Sequence, residues 1–376
     1  MLSSQIQIIT FTRQKFRPID QCIFALNVQL SIQLQVITKS GYRFNNPIGL
    51  GPNFDQKGQG IDCLHQTGLS FVEIGSGTLE QQNPHKLRTK VISIDLKNRD
   101  VKQIFQGVTP SLNLIVSNLV RRQTAIRDQK ISPVINSIIG VNVQANLDTQ
   151  RSIPYLTHTD FTKNIRELND LCDYVVLNLT EDANSNGLSQ YYKNEKALEK
   201  LISESVKARN SELGKLAALE YELADQDLYR DYTFSLRRYY QRNSMISTLK
   251  PMMIFLQISL NYVQDKQKFL ATIISKCKIH GIDGIVLQDD SVENTKNLIK
   301  KFRELDSNKD LLLITQTKTM TGQQLYDQIK LGADLVQIYD KIVLDGPYAT
   351  NDLLHELQEI MRLNGLKDVK LLYQKN

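Results

Sequence analysis

Eight short apolar runs, separated by segments of helical character, restrict the fold of this chain more than any other feature. They are Pro47–Gly51, Phe71–Ser76, Ile138–Val143, Tyr174–Leu179, Met252–Ile258, Gly284–Gln288, Leu311–Thr315 and Leu335–Tyr339. Most are almost continuously apolar, the pattern of parallel strands covered on both faces rather than the alternation of a half-exposed sheet. Parallel strands need long crossovers, and the intervening helical segments supply them. Eight such repeats predict an α/β protein of the (β/α)8 TIM-barrel class, not an open doubly wound sheet. No G-x-G-x-x-G follows the first run, which also argues against a Rossmann-type domain. Ahead of the barrel, Val28 to Val36 alternates apolar and polar as a half-buried strand. Thr38–Gly41 then makes a turn and Tyr42–Asn45 returns, giving an N-terminal β-hairpin.

The totals narrow the function classes. With 376 residues and 41% hydrophobic content the chain can bury a sizeable core, here one domain over residues 28–376 behind an N-terminal arm, 1–27. A net charge of +6 over this length is weak support for nucleic acid as a partner. Cys22, Cys63, Cys172 and Cys277 are far apart and form no C-x-x-C, so they read as buried thiols in a reducing compartment. The five histidines form no metal-binding cluster, and no metal is expected. No run reaches the 18 or so apolar residues of a membrane span, so membrane association is expected only through partners. The arm carries Arg13, Lys15 and Arg17 with no acid before Asp20 and is rich in Ser, Thr and Gln. That composition suits a mitochondrial presequence and equally an ordinary basic arm.

The stretch from Asn46 to Thr78 reads strand, loop, helix, strand. Ile61 and Leu64 fall at helical spacing, Gly68 ends the helix, and Gly75-Ser76-Gly77 opens the C-terminal end of the second strand, where such units place ligands. The stretch resembles the start of the dihydroorotate dehydrogenase barrel, N-P-[VI]-G-[IL]-A-[AS]-G-F-D-K followed by F-[VG]-[FE]-[IV]-G-[ST]-x-T. Asn46, Pro47, Gly49, Phe54, Asp55, Gly75, Ser76 and Thr78 match it, and Gly332–Asp340 resembles that family's G-A-x-L-V-Q-[LIV]-Y-T. The likeness runs from about Leu34 to about Leu363. It implies a hairpin closing the bottom of the barrel, an FMN cofactor, lysines beside the flavin, asparagines for the orotate ring, and a Ser or Cys base.

Several of those positions carry other residues. Gln56 stands where the lysine after F-D is expected, and Gln257 where the fifth strand carries its lysine. Glu181, followed by Asp182, takes the place of the Ser or Cys base. Pro52 and Asn53 replace small residues in the first-strand loop, and Lys102–Val108 lacks the substrate asparagines. Gln288-Asp289-Asp290 stands for T-N-T, and Gln316-Thr317-Lys318 replaces the glycines of the phosphate cradle. Asp340 follows Tyr339 where a threonine should bind phosphate. A carboxylate at about 4 Å from a phosphate charge costs on the order of 4 kcal/mol at a surface-like dielectric. Gly75, Ser76, Asn142 and Asn178 remain, which this pattern casts as vestiges of a cofactor site. The expectation is therefore a pseudoenzyme with no catalytic residues and no cofactor. Its barrel would serve as a structural subunit of a mitochondrial assembly of respiratory-chain or ATP synthase type, in the matrix or at the matrix face of the inner membrane.

Two other readings stay open. One is an FMN-dependent oxidoreductase with an altered site, using Glu181 as base and Lys57 or Lys318 as cation. The other is a mouth lined by Glu181, Asp289, Asp290 and Asp340 that binds a cationic molecule. From Leu179 to Met252 the chain runs for more than seventy residues, where one barrel repeat needs roughly thirty. The surplus, about 206–249, lacks proline and reads as one or two helices inserted between strands four and five. Leu228, Tyr232, Leu236, Tyr239 and Tyr240 share one face, flanked by Arg237 and Arg238. This stripe reads as packing against the barrel or as docking for another protein subunit, with RNA the weakest alternative.

Overall fold

The computed structural model describes residues 32–82, 91–105, 108–180, 188–224, 251–260, 263 and 265–373. Its strands are β1 (Val36–Ile37), β2 (Arg43–Phe44), β3 (Ile48–Leu50), β4 (Phe71–Gly77), β5 (Val91–Asp95), β6 (Asp100–Phe105), β7 (Ile138–Val143), β8 (Tyr174–Asn178), β9 (Met253–Ser259), β10 (Gly284–Gln288), β11 (Leu312–Gln316) and β12 (Leu335–Ile338). Eight of them close a barrel in the order β3-β4-β7-β8-β9-β10-β11-β12, and β12 pairs back onto β3. All eight ladders are parallel, and each apolar run of the sequence is one barrel strand to within a residue or two. The (β/α)8 expectation holds.

The lower end of the barrel is plugged by rings. Phe71, Tyr174 and Phe255 point inward from β4, β8 and β9, and Phe44 closes over them from the hairpin. Their edge-to-face contacts run Phe44–Phe71 at 5.6 Å, Phe71–Tyr174 at 6.4 Å and Tyr174–Phe255 at 5.2 Å. Each ring of the plug lies opposite a glycine of the neighbouring strand: Gly49 faces Phe71, Gly140 faces Tyr174 and Gly284 faces Phe255. At Gly140 a Cβ would run into the Tyr174 ring, so the ring takes the space a side chain would otherwise fill.

A repeated carboxylate device ties the strands in pairs at this end. Asp173, Asp283 and Asp334 immediately precede β8, β10 and β12. Each donates its N–H to a carbonyl of the preceding barrel strand, at Ile139, Ile254 and Leu313. Each then accepts the N–H of that same residue on its carboxylate, at 2.8, 2.9 and 2.7 Å. Two of the carboxylates also hold an arginine. Arg209 meets Asp283 at 2.8 Å, and Arg303 meets Asp334 at 2.6 Å while bonding Asp306 and the carbonyls of Leu311 and Gly332.

The hairpin is present but shorter than its alternation suggests: Val36–Ile37 pairs with Arg43–Phe44. Gln33 instead bridges to Asp368 at the far end of the chain, exchanging backbone hydrogen bonds with Lys367 and Val369, so the arm is shared between two partners. The helix after β8 is continuous over Glu195–Ala224, 30 residues or about 45 Å. Val206 and Ala208 are buried on it and Arg209 is bonded to the barrel, so the surplus begins beyond these positions rather than at Val206. The arm 1–27, Glu181 and the stripe of Leu228, Tyr232, Leu236, Arg237, Arg238, Tyr239 and Tyr240 lie outside the described residues.

Arg303 is almost wholly enclosed with Asp306 and Asp334. Truncating it strands buried carboxylates, and the Arg303→Ala chain should lose about 3–5 kcal/mol of stability, read from the midpoint of urea unfolding.

Candidate functional site

Side chains of a strand point inward at every second position, so each barrel strand that contributes to the plug contributes again one step higher. Above Phe71 stands Glu73, above Gly140 stands Asn142, and above Phe255 stands Gln257. Asn178, Gln288, Gln316 and Gln337 come in from β8, β10, β11 and β12. The result is a polar layer across the barrel, toward the C-terminal ends of the strands.

Asn142 holds its centre. Its Nδ2 donates to Glu73 at 2.8 Å and to Gln257 Oε1 at 2.6 Å. Its Oδ1 accepts from the Ser76 hydroxyl at 2.6 Å and from Asn178 Nδ2 at 3.1 Å. Gln257 passes the chain on, its Nε2 donating to Oε1 of Gln288 and of Gln316, each at 2.7 Å. Gln337 Nε2 donates to Glu73 at 2.6 Å, and Tyr174 of the plug donates its hydroxyl to the same carboxylate at 3.2 Å. Glu73 is fully buried; burial pushes its pKa up to about 7, partly offset by the hydrogen bonds from Asn142, Gln337 and Tyr174.

The mouth above this layer is shaped by backbone. Gly75 has φ 107°, and a Cβ there would stand 2.5 Å from the Asn142 carbonyl, so the loop passes directly over β7. Gly51 lies over the amides: its missing Cβ would be 3.3 Å from Gln337 Oε1 and 3.5 Å from Gln316 Nε2. Gln337 Oε1 is buried against Gly51 without a hydrogen-bond partner among the described residues. Toward the loops after β11 and β12 the charge changes. Lys318 is paired with Asp100 and stands 3.9 Å from Asp340. Asp100 is held below the usual carboxylate range by Lys318. Burial pushes Asp340 up to about 6, against the pull of Lys318 and with help from Asp100 and Asp290. The buried Thr317 hydroxyl and Asp289 Oδ2 have no hydrogen-bond partner among the described residues.

The structure thus brings together Ser76, Asn142, Asn178 and Gln257, with Gly75 beside them. Gln56 sits half-buried on the loop after β3, outside this network. Ser76, Asn142 and Asn178 are members of one hydrogen-bonded set. Glu73 and Gln337 were not singled out as site residues, and Gln288 and Gln316 entered only as departures from the family's motifs. Their signal was a single polar residue inside or at the end of an otherwise apolar strand.

Glu73 has a consequence for stability. Its pKa is raised from the ordinary 4.5 to about 7, so the folded chain holds this proton more tightly than the unfolded one. The resulting stabilisation is fully present below about pH 4.5 and is lost as pH rises to about 7, on the order of 3 kcal/mol at most. A Glu73→Gln chain, with Gln337 turned to offer its Oε1, should lack that decline when urea midpoints are compared between pH 4.5 and 8.

Comparison with known proteins agrees with this architecture. The family described as Dihydroorotate dehydrogenase matches residues 34–361. The dihydroorotate dehydrogenase (quinone) of Sulfurimonas denitrificans is 26% identical over 380 residues, covering 98% of this chain and 92% of its own. The mitochondrial dihydroorotate dehydrogenase (quinone) of Mus musculus is 22% identical over 353 residues, covering 88% and 76%. The crystal structure of DHODH from Eimeria tenella in complex with ferulenol superposes with a TM-score of 0.71 at 18% identity, covering 92% and 89%.

Two expectations are overturned by a match of this extent. The exchanges at Gln56, Glu181 and Gln257 do not make the chain a pseudoenzyme, because its relatives carry the names of enzymes across nearly its whole length. Gln257 is moreover built into a connected polar layer, not left as a residue with nothing to do. The expectation of no cofactor falls with the first, since it rested on the same exchanges and the resembled family carries FMN. The barrel order, the polar mouth and the sequence match converge, and the chain belongs to the dihydroorotate dehydrogenase family.

Proposed function

We propose that the chain is an FMN-dependent oxidoreductase related to dihydroorotate dehydrogenase, with an altered active site at the mouth of the barrel. The observation that carries this reading is the polar layer beneath the mouth. A barrel kept only as scaffold is best filled by apolar side chains, whereas a buried acceptor without a partner costs about 1–3 kcal/mol. Gln337 Oε1 is such an acceptor among the described residues, and it lies against Gly51 beneath the loop after β3.

The fit of FMN can be judged end by end. Under the ring, Glu73 fixes Gln337 with its Oε1 outward, and Gln257 fixes Gln316 and Gln288 with their Oε1 inward. An acceptor is thereby set beside amide donors, an array that suits a planar ring with alternating carbonyl and N–H groups. At the other end, Thr317 offers a hydroxyl and Lys318 a cation. Asp340 is less of an obstacle than its formal charge implies. With its pKa at about 6, protonating it at pH 7 costs about 1.4 kcal/mol, and more where solvent weakens the burial that raises it. The acid form donates a hydrogen bond to a phosphate instead of repelling it. The residues fit the group, and Lys318, Thr317 and protonated Asp340 would hold its phosphate. The chemistry that FMN supplies when bound is two-electron transfer. The chain's own contribution is orientation: Glu73, Asn142 and Gln257 lock the amides, and an uncharged floor replaces the lysines of the family.

A second reading is favoured by one observation, the 30-residue helix Glu195–Ala224, nearly twice the 16 residues of Leu112–Arg127. We infer that its far end and residues 225–249 contact other protein subunits of a mitochondrial assembly. A mitochondrial relative in mouse and the composition of the N-terminal arm support that location.

Titration of the purified full chain with FMN, followed by flavin fluorescence, should show saturable one-to-one binding. Asp340 takes up a proton on binding, so affinity should rise as pH falls from 8 toward 6, and the Asp340→Asn chain should bind more tightly at pH 8 with a flatter profile. Absence of binding at every pH would sink the flavin reading. For the assembly, deletion of 225–249 should shift the chain from a high-mass to a low-mass fraction on native gels; unchanged migration would refute that contact.

A further inference from the structure

The β5–β6 hairpin is an excursion between β4 and the helix Leu112–Arg127, and the barrel does not need it. Its base is closed by the Thr78–Ser111 bridge and by paired backbone bonds between Gln82 and Thr109. Its turn is locked by Asp95, whose carboxylate accepts from the N–H groups of Lys97 and Asn98 at 3.0 and 3.1 Å and from Asn98 Nδ2 at 2.8 Å. In barrel order β3 and β12 separate β4 from β11, yet the hairpin reaches that far. Asp100 pairs with Lys318 after β11. Arg99 grips both oxygens of Asp345 at 2.6 and 2.7 Å, on the helix Asp340–Asp345 that follows β12, and Lys341 meets the same carboxylate at 2.7 Å. Val101 is buried, and β6 packs against that helix. The hairpin therefore runs from the second barrel strand past the mouth to the loops of the seventh and eighth.

The two ion pairs differ in what they withhold. Arg99 is half exposed, and Asp345 keeps Lys341 whether or not Arg99 is there. Lys318 is the cation beside Thr317 and Asp340, and the carboxylate now on it comes from the chain itself. An anion centred on the Lys318 ammonium would meet the Asp100 carboxylate on the same cation as a like charge, which disfavours holding both. A phosphate monoester carries about −1.5 to −2 charges near pH 7 against one for Asp100, so it is the stronger partner. Exposed pairs of the Arg99–Asp345 kind hold weakly, so the packing of Val101 and β6 against the helix Asp340–Asp345 is the main resistance to the exchange.

We propose that the β5–β6 hairpin is an autoinhibitory strap: Asp100 occupies the anion position of the mouth, and a phosphate group reaching Lys318 displaces it and releases the strap. The proposal rests on the flavin reading for the identity of its ligand, but the strap itself responds to phosphate as such. Free inorganic phosphate and the phosphate of FMN share the chemistry and are separated by the test.

The test uses the full chain, wild type beside Asp100→Asn and Lys318→Ala. Amide hydrogen exchange is followed in peptides covering residues 91–105, with and without inorganic phosphate, and FMN affinity is measured by equilibrium dialysis. Phosphate should speed exchange of the wild-type hairpin several-fold. Asp100→Asn should exchange fast from the start and bind FMN about tenfold more tightly, because the competent state no longer has to be won from the strapped one. Lys318→Ala should also exchange fast and take no notice of phosphate. Equal FMN affinity in wild type and Asp100→Asn, with exchange insensitive to phosphate, overturns the strap and leaves the flavin reading standing. Phosphate-sensitive exchange with no FMN binding by any chain supports the strap and removes the flavin.

Discussion

The amide of Asn142 is the point on which the upper half of this barrel depends. Its two ends reach Glu73 and Ser76 on β4, Asn178 on β8 and Gln257 on β9, so one side chain orients polar groups from three other strands. Through Gln257 the same orientation passes to Gln288 and Gln316. Amides have a donor end and an acceptor end, and a chain of them is determinate once one member is fixed. Glu73 fixes that member as an acceptor of donors. The aromatic plug below is connected to the same set through Tyr174, so the apolar and polar layers share one hinge of hydrogen bonding. What the mouth presents to a ligand is decided several ångströms beneath it.

Much of the fold was legible because parallel strands leave a strong trace. The run Ile138–Val143 and the run Gly284–Gln288 are strands to the residue. Strands covered on both faces have little choice but continuous apolar sequence. The site was harder. A glutamine at Gln337 or Gln316 looks the same in sequence whether it is solvated or enclosed, and its partners lie on other strands. The reading of lost function came from comparing residue types position by position. That method registers what is missing and is blind to a different set of hydrogen bonds in the same volume. Burial, which sequence does not display, also raises the Asp340 pKa to about 6.

The electrostatic character of the mouth follows from these two layers of choice. Directly over the plug the groups are neutral amides around one carboxyl poised near neutrality. Toward the loops, Lys318 stands among Asp100, Asp290 and Asp340. Among the described residues, the positive charge of Lys318 stands on one side of the opening, and it is already in use by the chain. A ligand that binds here gains more from matched hydrogen bonds at its ring end than from bulk attraction, and its charged end has to compete for its place.

The paired aspartates at the lower end also say where the barrel is least tied. β7 with β8, β9 with β10, and β11 with β12 are each stitched by an aspartate whose backbone N–H donates to the carbonyl, and whose carboxylate accepts the N–H, of one backbone residue. At the equivalent place before β4 the residue is Ser70, which keeps the backbone bond to Ile48 but whose hydroxyl has no hydrogen-bond partner among the described residues. The barrel is thus three bolted staves and one that is merely butted. Local opening follows the least tied path, and that path is the seam between β3 and β4, from which the hairpin springs. Strain put on the hairpin would be relieved along its own stave, leaving the other six strands in register.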